Sequence, residues 1–118
     1  MTKLDNMSNL KDKNILVGVT GSISIYKSCD LIRALIKEGA NVTVVMTSNA
    51  EKFISPMTFQ SISGRKVFTN MYDTDESSLA HINLADNSDL IIVCPATANF
   101  VSKYANGIAD NLLLNILL

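Results

Sequence analysis

The stretch Asn14–Ile25, NILVGVTGSISI, constrains the fold more than any other part of the chain. Asn14 to Thr20 reads as a buried strand. Its apolar residues Ile15, Leu16, Val17 and Val19 run together instead of alternating, which suits a strand covered on both faces, as in a parallel sheet. Gly21 then allows a sharp turn, and either Ser22 or Ser24 can cap the helix that follows. A strand running straight into a capped helix leaves backbone N–H groups and the positive end of a helix dipole at the carboxyl edge of a sheet. That is an anion site, most often for phosphate. The spacing is not the dinucleotide fingerprint, because Gly18 and Gly21 have no third glycine at the helix start. It is not a Walker A loop either, because no Gly-Lys-Ser/Thr ending follows. A plain capped helix uses the same residues, so the turn alone leaves phosphate binding open.

The rest of the chain repeats this logic. A helix from about Ile23 to Glu38 places Ile25, Cys29, Ile32, Leu35 and Ile36 on one face, and Gly39 is placed to end it. Asn41–Thr47, NVTVVMT, is a β-branched strand, so that strand, helix and strand fit a right-handed βαβ unit. Hydroxyls in Thr47-Ser48-Asn49 can cap a short helix, Ala50–Ile54. Pro56 can open a helix Met57–Ser63 that Gly64 closes. Lys66–Phe68 reads as a short strand, Tyr72–Ser78 as an acidic surface loop, and Leu79–Asn87 as a helical turn or two. Asp89–Cys94, DLIIVC, is a further continuous apolar strand ended by Pro95. A helix Phe100–Ala105 is expected with Val101 and Tyr104 or Ala105 facing inward, and Asp110 to cap a last helix, Asn111–Leu118. Three strand ends thus carry hydroxyl- or amide-rich turns. In an open α/β sheet they lie near one another and frame a ligand site, here for a phosphorylated ligand.

Composition narrows the function classes. The 118 residues suffice for one hydrophobic core, and 47% are hydrophobic. A net charge of −1 without a basic run argues against non-specific nucleic-acid binding. The N-terminus is polar and mixed in charge, unlike a signal or transit peptide, and no apolar stretch approaches the ~20 residues that span a bilayer. The reading is therefore cytoplasmic, with no membrane and no nucleic-acid partner. Cys29 and Cys94 read as reduced, mostly buried thiols, and with a single histidine they do not make a common zinc site; no metal is expected.

Two further segments carry possible chemistry. In Pro95-Ala96-Thr97-Ala98-Asn99 the small alanines let a flat ligand approach the backbone, while Thr97 and Asn99 offer a hydroxyl and an amide. An ordinary strand-to-helix turn looks the same. His81 has a side chain that titrates near neutrality and so suits proton transfer, although a lone histidine is more often simply structural.

Taken together, GVTGSIS at 18–24, HINLADNSDLIIVCPATAN at 81–99 and NGIADNLL at 106–113 strongly resemble the homo-oligomeric flavin-containing cysteine decarboxylases. Within them the likeness is to the branch that acts on 4′-phosphopantothenoylcysteine in coenzyme A biosynthesis. The resemblance covers residues 13 to 118. It implies a Rossmann-like three-layer α/β domain with a parallel sheet, binding FMN and not a dinucleotide. Carried onto this chain, Gly21, Ser22 and Ile23, the Thr47–Ser48 turn, and Ala96, Thr97, Ala98 and Asn99 would contact FMN, and His81 would be the catalytic base. The family forms homotrimers, often assembled into dodecamers, with sites between subunits. Its flavin oxidises the cysteinyl thiol towards a thioaldehyde, the carboxylate is lost, and the coenzyme A enzyme returns the product to the thiol 4′-phosphopantetheine.

The family pattern continues beyond Leu118 into a strand, a Pro-Ala-Met-Asn segment that binds the substrate carboxylate, and a clamp cysteine matched by neither Cys29 nor Cys94. The expectation is therefore a polar tail, residues 1–13, followed by an FMN-binding domain, 14–118, incomplete at its C-terminal side and without a ligase domain. The alternatives are a decarboxylase of peptidyl-cysteine in antibiotic precursors and a non-catalytic flavin-binding fragment. Gly-Ser-Ile-Ser followed by Tyr26-Lys27 leans towards the coenzyme A branch, whereas flavin prenyltransferases favour Gly-Ala-Ser-Gly.

Overall fold

The computed structural model describes residues 9–69 and 83–118. Three parallel strands, β1 (Asn14–Val19), β2 (Asn41–Met46) and β3 (Leu90–Val93), lie in the order β2-β1-β3. The expected strands thus form, each shorter by a residue or two at its ends. The Lys66–Phe68 strand contracts to a single bridge, Phe68 to Val45.

Alternation along β1 divides the core. Ile15, Val17 and Val19 face α1 (Tyr26–Lys37) and α2 (Pro56–Ser63), packing with Ile25, Cys29, Ile32 and Phe59. Leu16 faces the other way, onto α3 (Ala98–Ala105) and α4 (Leu112–Leu117), where it meets Phe100, Leu112, Leu113 and Leu114. The central strand is therefore buried on both faces, which explains its unbroken apolar run. The three layers are α1–α2, sheet and α3–α4.

Helix ends follow local chemistry. A 3₁₀ turn, Ile23–Ile25, leads into α1, and Gly39 follows it at φ 94°, the left-handed conformation that suits glycine. Pro56 opens α2 behind Ser55, whose side chain accepts from the Met57 N–H, and Gly64 closes it at φ 71°. The short helix expected at Ala50–Ile54 is a 3₁₀ turn, Ala50–Lys52.

Two expectations are corrected. In α3 the inward residue is Phe100, 5% exposed, while Val101 and Tyr104 stand 51% and 46% exposed and Ala105 is exposed. The helix begins two residues earlier than expected, capped by the Thr97 side chain, and that start rotates Phe100 onto the sheet. The cap of α4 is Asn111, whose Oδ1 accepts from the Leu114 N–H at 2.8 Å; Asp110 instead pairs with Lys103.

Within the stretch read as a tail, Leu10 packs against the α1-side core and the Asp12 N–H donates to the Gly39 carbonyl. Residues 83–86 are helical; the Tyr72–Ser78 loop and His81 lie outside the described residues. No described helix is long and apolar enough to cross a membrane, and no described group of three His, Cys, Asp or Glu could hold a metal ion.

Candidate functional site

Strand order β2-β1-β3 puts a topological switch point between β1 and β3, because the chain leaves β1 to one side and reaches β3 on the other. Past the last register pair, Gly18 with Val93, the Cys94 N–H donates to the Gly18 carbonyl at 2.9 Å. The Cys94–Pro95 peptide bond is cis. From there side chains hold the turns together. Thr20 Oγ1 donates to the Pro95 carbonyl and accepts from the Thr97 N–H at 3.0 Å, and Ser28 Oγ donates to the Cys94 carbonyl.

On the other side of β1, the Thr47 N–H donates to the Val19 carbonyl at 3.0 Å, and Thr47 Oγ1 accepts from the Ala50 N–H at 3.3 Å. What Gly21 supplies is the absence of a side chain. A Cβ there would lie 2.5 Å from Asn49 Nδ2 and 2.8 Å from the Asn49 carbonyl carbon. The β1 and β2 turns touch only because position 21 is glycine.

Of the two candidate caps, Ser22 is the N-cap: in an extended conformation, its Oγ accepts from the Ser24 N–H at 3.2 Å. The Ser22 and Ile23 N–H groups have no hydrogen-bond acceptor among the described residues. The first turn carries no acidic side chain. Two unengaged donors at a helix start, with no carboxylate beside them, suit an anion.

The three turns surround one cavity of about 310 Å³. Of the expected residues, Gly21, Thr47, Ser48, Thr97 and Asn99 line it. Ser22 and Ile23 continue from Gly21 just outside its wall; Ile23, Ala96 and Ala98 are exposed. Asn49, the last residue of the Thr47-Ser48-Asn49 turn, lines it too, and Thr20, Phe100, Lys103 and Asn111, which were not expected, complete the lining. Lys103 had a signal in the sequence, since it follows Asn99 by one helical turn on the same face of α3. Among the described residues it is the only charged side chain on the wall, held by Asp110 Oδ2 at 2.8 Å. Both partners are partly exposed, so their pairing contributes under about 1 kcal/mol to stability.

A larger cavity of about 510 Å³ lies at the opposite end of β1, beside Asn14, Ile15, Thr43 and Leu84. The smaller one is the candidate site, because it stands at the carboxyl ends of the strands and gathers the hydroxyl and amide turns. Neither cysteine lines it. Burial pushes the Cys29 thiol above its ordinary pKa; Arg33 opposes that shift and Asp30 reinforces it.

Comparison with known proteins bears on this geometry. The family model described as Flavoprotein matches residues 3–118. The coenzyme A biosynthesis bifunctional protein CoaBC of Bacillus subtilis (strain 168) is 48% identical over 110 residues, covering 92% of this chain and 27% of that protein. A protein of Streptococcus mutans serotype c, described as "Probable phosphopantothenoylcysteine decarboxylase", is 42% identical over 107 residues, 90% of this chain and 60% of that one. The crystal structure of the FMN-dependent cysteine decarboxylase SpaF matches with a TM-score of 0.85 at 30% identity, over 92% of this chain and 63% of that chain. The chain thus spans from about a quarter to about three fifths of the length of these relatives.

Proposed function

The chain belongs to the Flavoprotein family, and on that footing we propose that it builds the flavin site of an FMN-dependent decarboxylase acting on 4′-phosphopantothenoylcysteine to give 4′-phosphopantetheine. The observation that carries the reading is the convergence of three hydroxyl- and amide-bearing turns on one cavity at the β1–β3 switch point. Relatives 42–48% identical bear the names of coenzyme A biosynthesis and phosphopantothenoylcysteine decarboxylation, which favours that substrate over a peptidyl cysteine.

The residues present fit FMN. The unengaged Ser22 and Ile23 N–H groups and the Ser22 and Ser24 hydroxyls suit its phosphate. Gly21, Thr47 and Ser48 would stand beside the phosphate and ribityl chain. Ala96, Thr97, Ala98 and Asn99 would meet the ring, the alanines leaving room for a flat face and Asn99 offering both a donor and an acceptor. When bound, the flavin would supply the two-electron chemistry that oxidises the cysteinyl thiol and reduces the product again. His81, carried over from the family pattern, would take and return the proton, a task to which an imidazole side chain is suited. A homotrimer, or a dodecamer of trimers, with sites between subunits belongs to the same reading.

The test is a visible absorption spectrum of the purified chain, with released flavin identified by mass, followed by assay of carbon dioxide release from 4′-phosphopantothenoylcysteine and from a peptide ending in cysteine. FMN at about one per chain and turnover of the phosphorylated substrate are expected. A colourless protein that takes up no added FMN overturns the reading.

A further inference from the structure

The residue that follows β1 is one that burial alone does not explain. Thr20 is 2% exposed and follows a run of apolar side chains, where valine would fill the same volume. A buried hydroxyl is destabilising unless it is hydrogen-bonded, so its partners define its purpose. The Thr20 hydroxyl donates to the Pro95 carbonyl and accepts from the Thr97 N–H. The Thr20 N–H reaches the same Pro95 carbonyl at 3.3 Å. In the first turn of α1, Ser28, with 0% exposure, donates to the carbonyl of Cys94, the residue before Pro95.

These contacts begin where the β1–β3 ladder ends. Strand pairing fixes the chain up to Val93 and the Cys94 N–H. Beyond it, the Cys94–Asn99 segment is held by Thr20, just past β1, and by Ser28 of α1, across separations of 75 to 77 residues for Thr20 and 66 for Ser28. Thr97 is also the cap of α3, its Oγ1 accepting from the Phe100 N–H at 3.1 Å. The Thr20 hydroxyl therefore governs the separation of the Gly21–Ile23 turn from the Thr97–Asn99 turn, the two sides of the cavity.

We propose that Thr20 is a positioning residue for the flavin: its hydroxyl, engaged by the protein itself, spaces the phosphate-side turn from the ring-side turn. This rests on the flavin reading of the same cavity. Thr20→Val keeps the volume but strands the Thr97 N–H and withdraws one donor from the Pro95 carbonyl. Thr20→Ser keeps the hydroxyl.

The experiment is titration of FMN into the purified 118-residue chain, followed by quenching of flavin fluorescence and by the shape of the visible band. Far-UV circular dichroism and gel filtration monitor the fold. The expected result is a Kd for FMN raised about tenfold in a folded Thr20→Val variant, with a visible band closer to that of free FMN, and recovery to within about threefold of the parent in Thr20→Ser. Thr20→Cys, which keeps the volume and weakens the hydrogen bonds, stands in if the valine variant does not fold. A folded valine or cysteine variant that binds FMN like the parent overturns the proposal. So does a serine variant as weak as the valine one, or loss of the fold in both hydroxyl-free variants, which would make Thr20 structural. A parent chain that binds no FMN overturns the flavin reading instead, and this proposal with it.

Discussion

A Cβ on Gly18 would stand 2.6 Å from Leu113 Cδ1 and 2.7 Å from Cδ2, so α4 rests on the sheet where the central strand has no side chain. Leu113 is fully buried and has little room to retreat. Gly18→Ala is expected to destabilise by about 1–3 kcal/mol through overpacking, and Leu113→Ala by about 2–5 kcal/mol through the cavity it leaves. In the Leu113→Ala background, Gly18→Ala becomes nearly neutral, because the clash is gone. Urea unfolding of the four proteins measures the coupling; strict additivity would show that the two residues do not meet in solution.

Asn111 and Asp110 stand side by side, and either could cap a helix by composition. Since Asn111 Oδ1 holds the Leu114 N–H, Asn111→Ala is expected to cost about 1 kcal/mol. Asp110→Ala removes only a partly exposed ion pair and should cost less, under about 1 kcal/mol. Equal losses in thermal unfolding would return the cap to Asp110.

Burial raises the Cys29 thiol pKa in the folded chain. The unfolded chain therefore releases this proton first as pH rises. The contribution is fully present below the ordinary thiol pKa of about 8.5 and is lost as pH climbs through the raised value. Unfolding free energies measured across this alkaline window are expected to fall more steeply for the parent than for Cys29→Ala. Alkylation of the native protein at neutral pH, mapped by mass, is expected to spare Cys29, and labelling of Cys29 as fast as in the unfolded chain would refute its burial.

Ser22→Asp separates electrostatics from folding. Aspartate is as good an N-cap as serine and favours the positive end of a helix, so Tm is expected to hold or rise. A carboxylate beside the proposed phosphate position is expected to weaken FMN binding by at least about tenfold. An unaltered Kd would move the phosphate elsewhere.

His81→Asn is expected to retain FMN at parental stoichiometry and to lose carbon dioxide release, as befits a residue proposed to handle a proton. Loss of flavin from this variant would make His81 structural, and retained turnover would remove it from the chemistry.

What the sequence disclosed here is what local chemistry decides. Ile15–Val17 and Leu90–Val93 announced strands because unbroken apolar runs have few other homes, and Gly39 and Gly64 announced helix ends because both adopt positive φ. The meeting of the Gly21, Thr47 and Thr97 turns followed from strands that all point the same way. Phe100 was misjudged because α3 has barely two turns with apolar residues on several sides, and its rotation depends on where Thr97 starts it. Thr20 and Ser28 stayed silent for a different reason. Their partners lie at least 66 residues away, and a hydroxyl after a strand looks the same whether it faces solvent or a distant carbonyl.

The sheet order also fixes how far the chain must travel to complete its crevice. The Asn14 to Asn41 contact between β1 and β2 spans 27 residues, whereas the Asn14 to Asp89 contact at β1 and β3 spans 75. By the logarithmic scaling of loop closure, the longer circuit costs about 0.9 kcal/mol more in chain entropy. A ligand seated across the β1–β3 turns and present at about a hundred times its Kd adds about 2.7 kcal/mol to the folded state. Such a molecule is a non-covalent staple, joining the two strands that the backbone connects only by its longest detour.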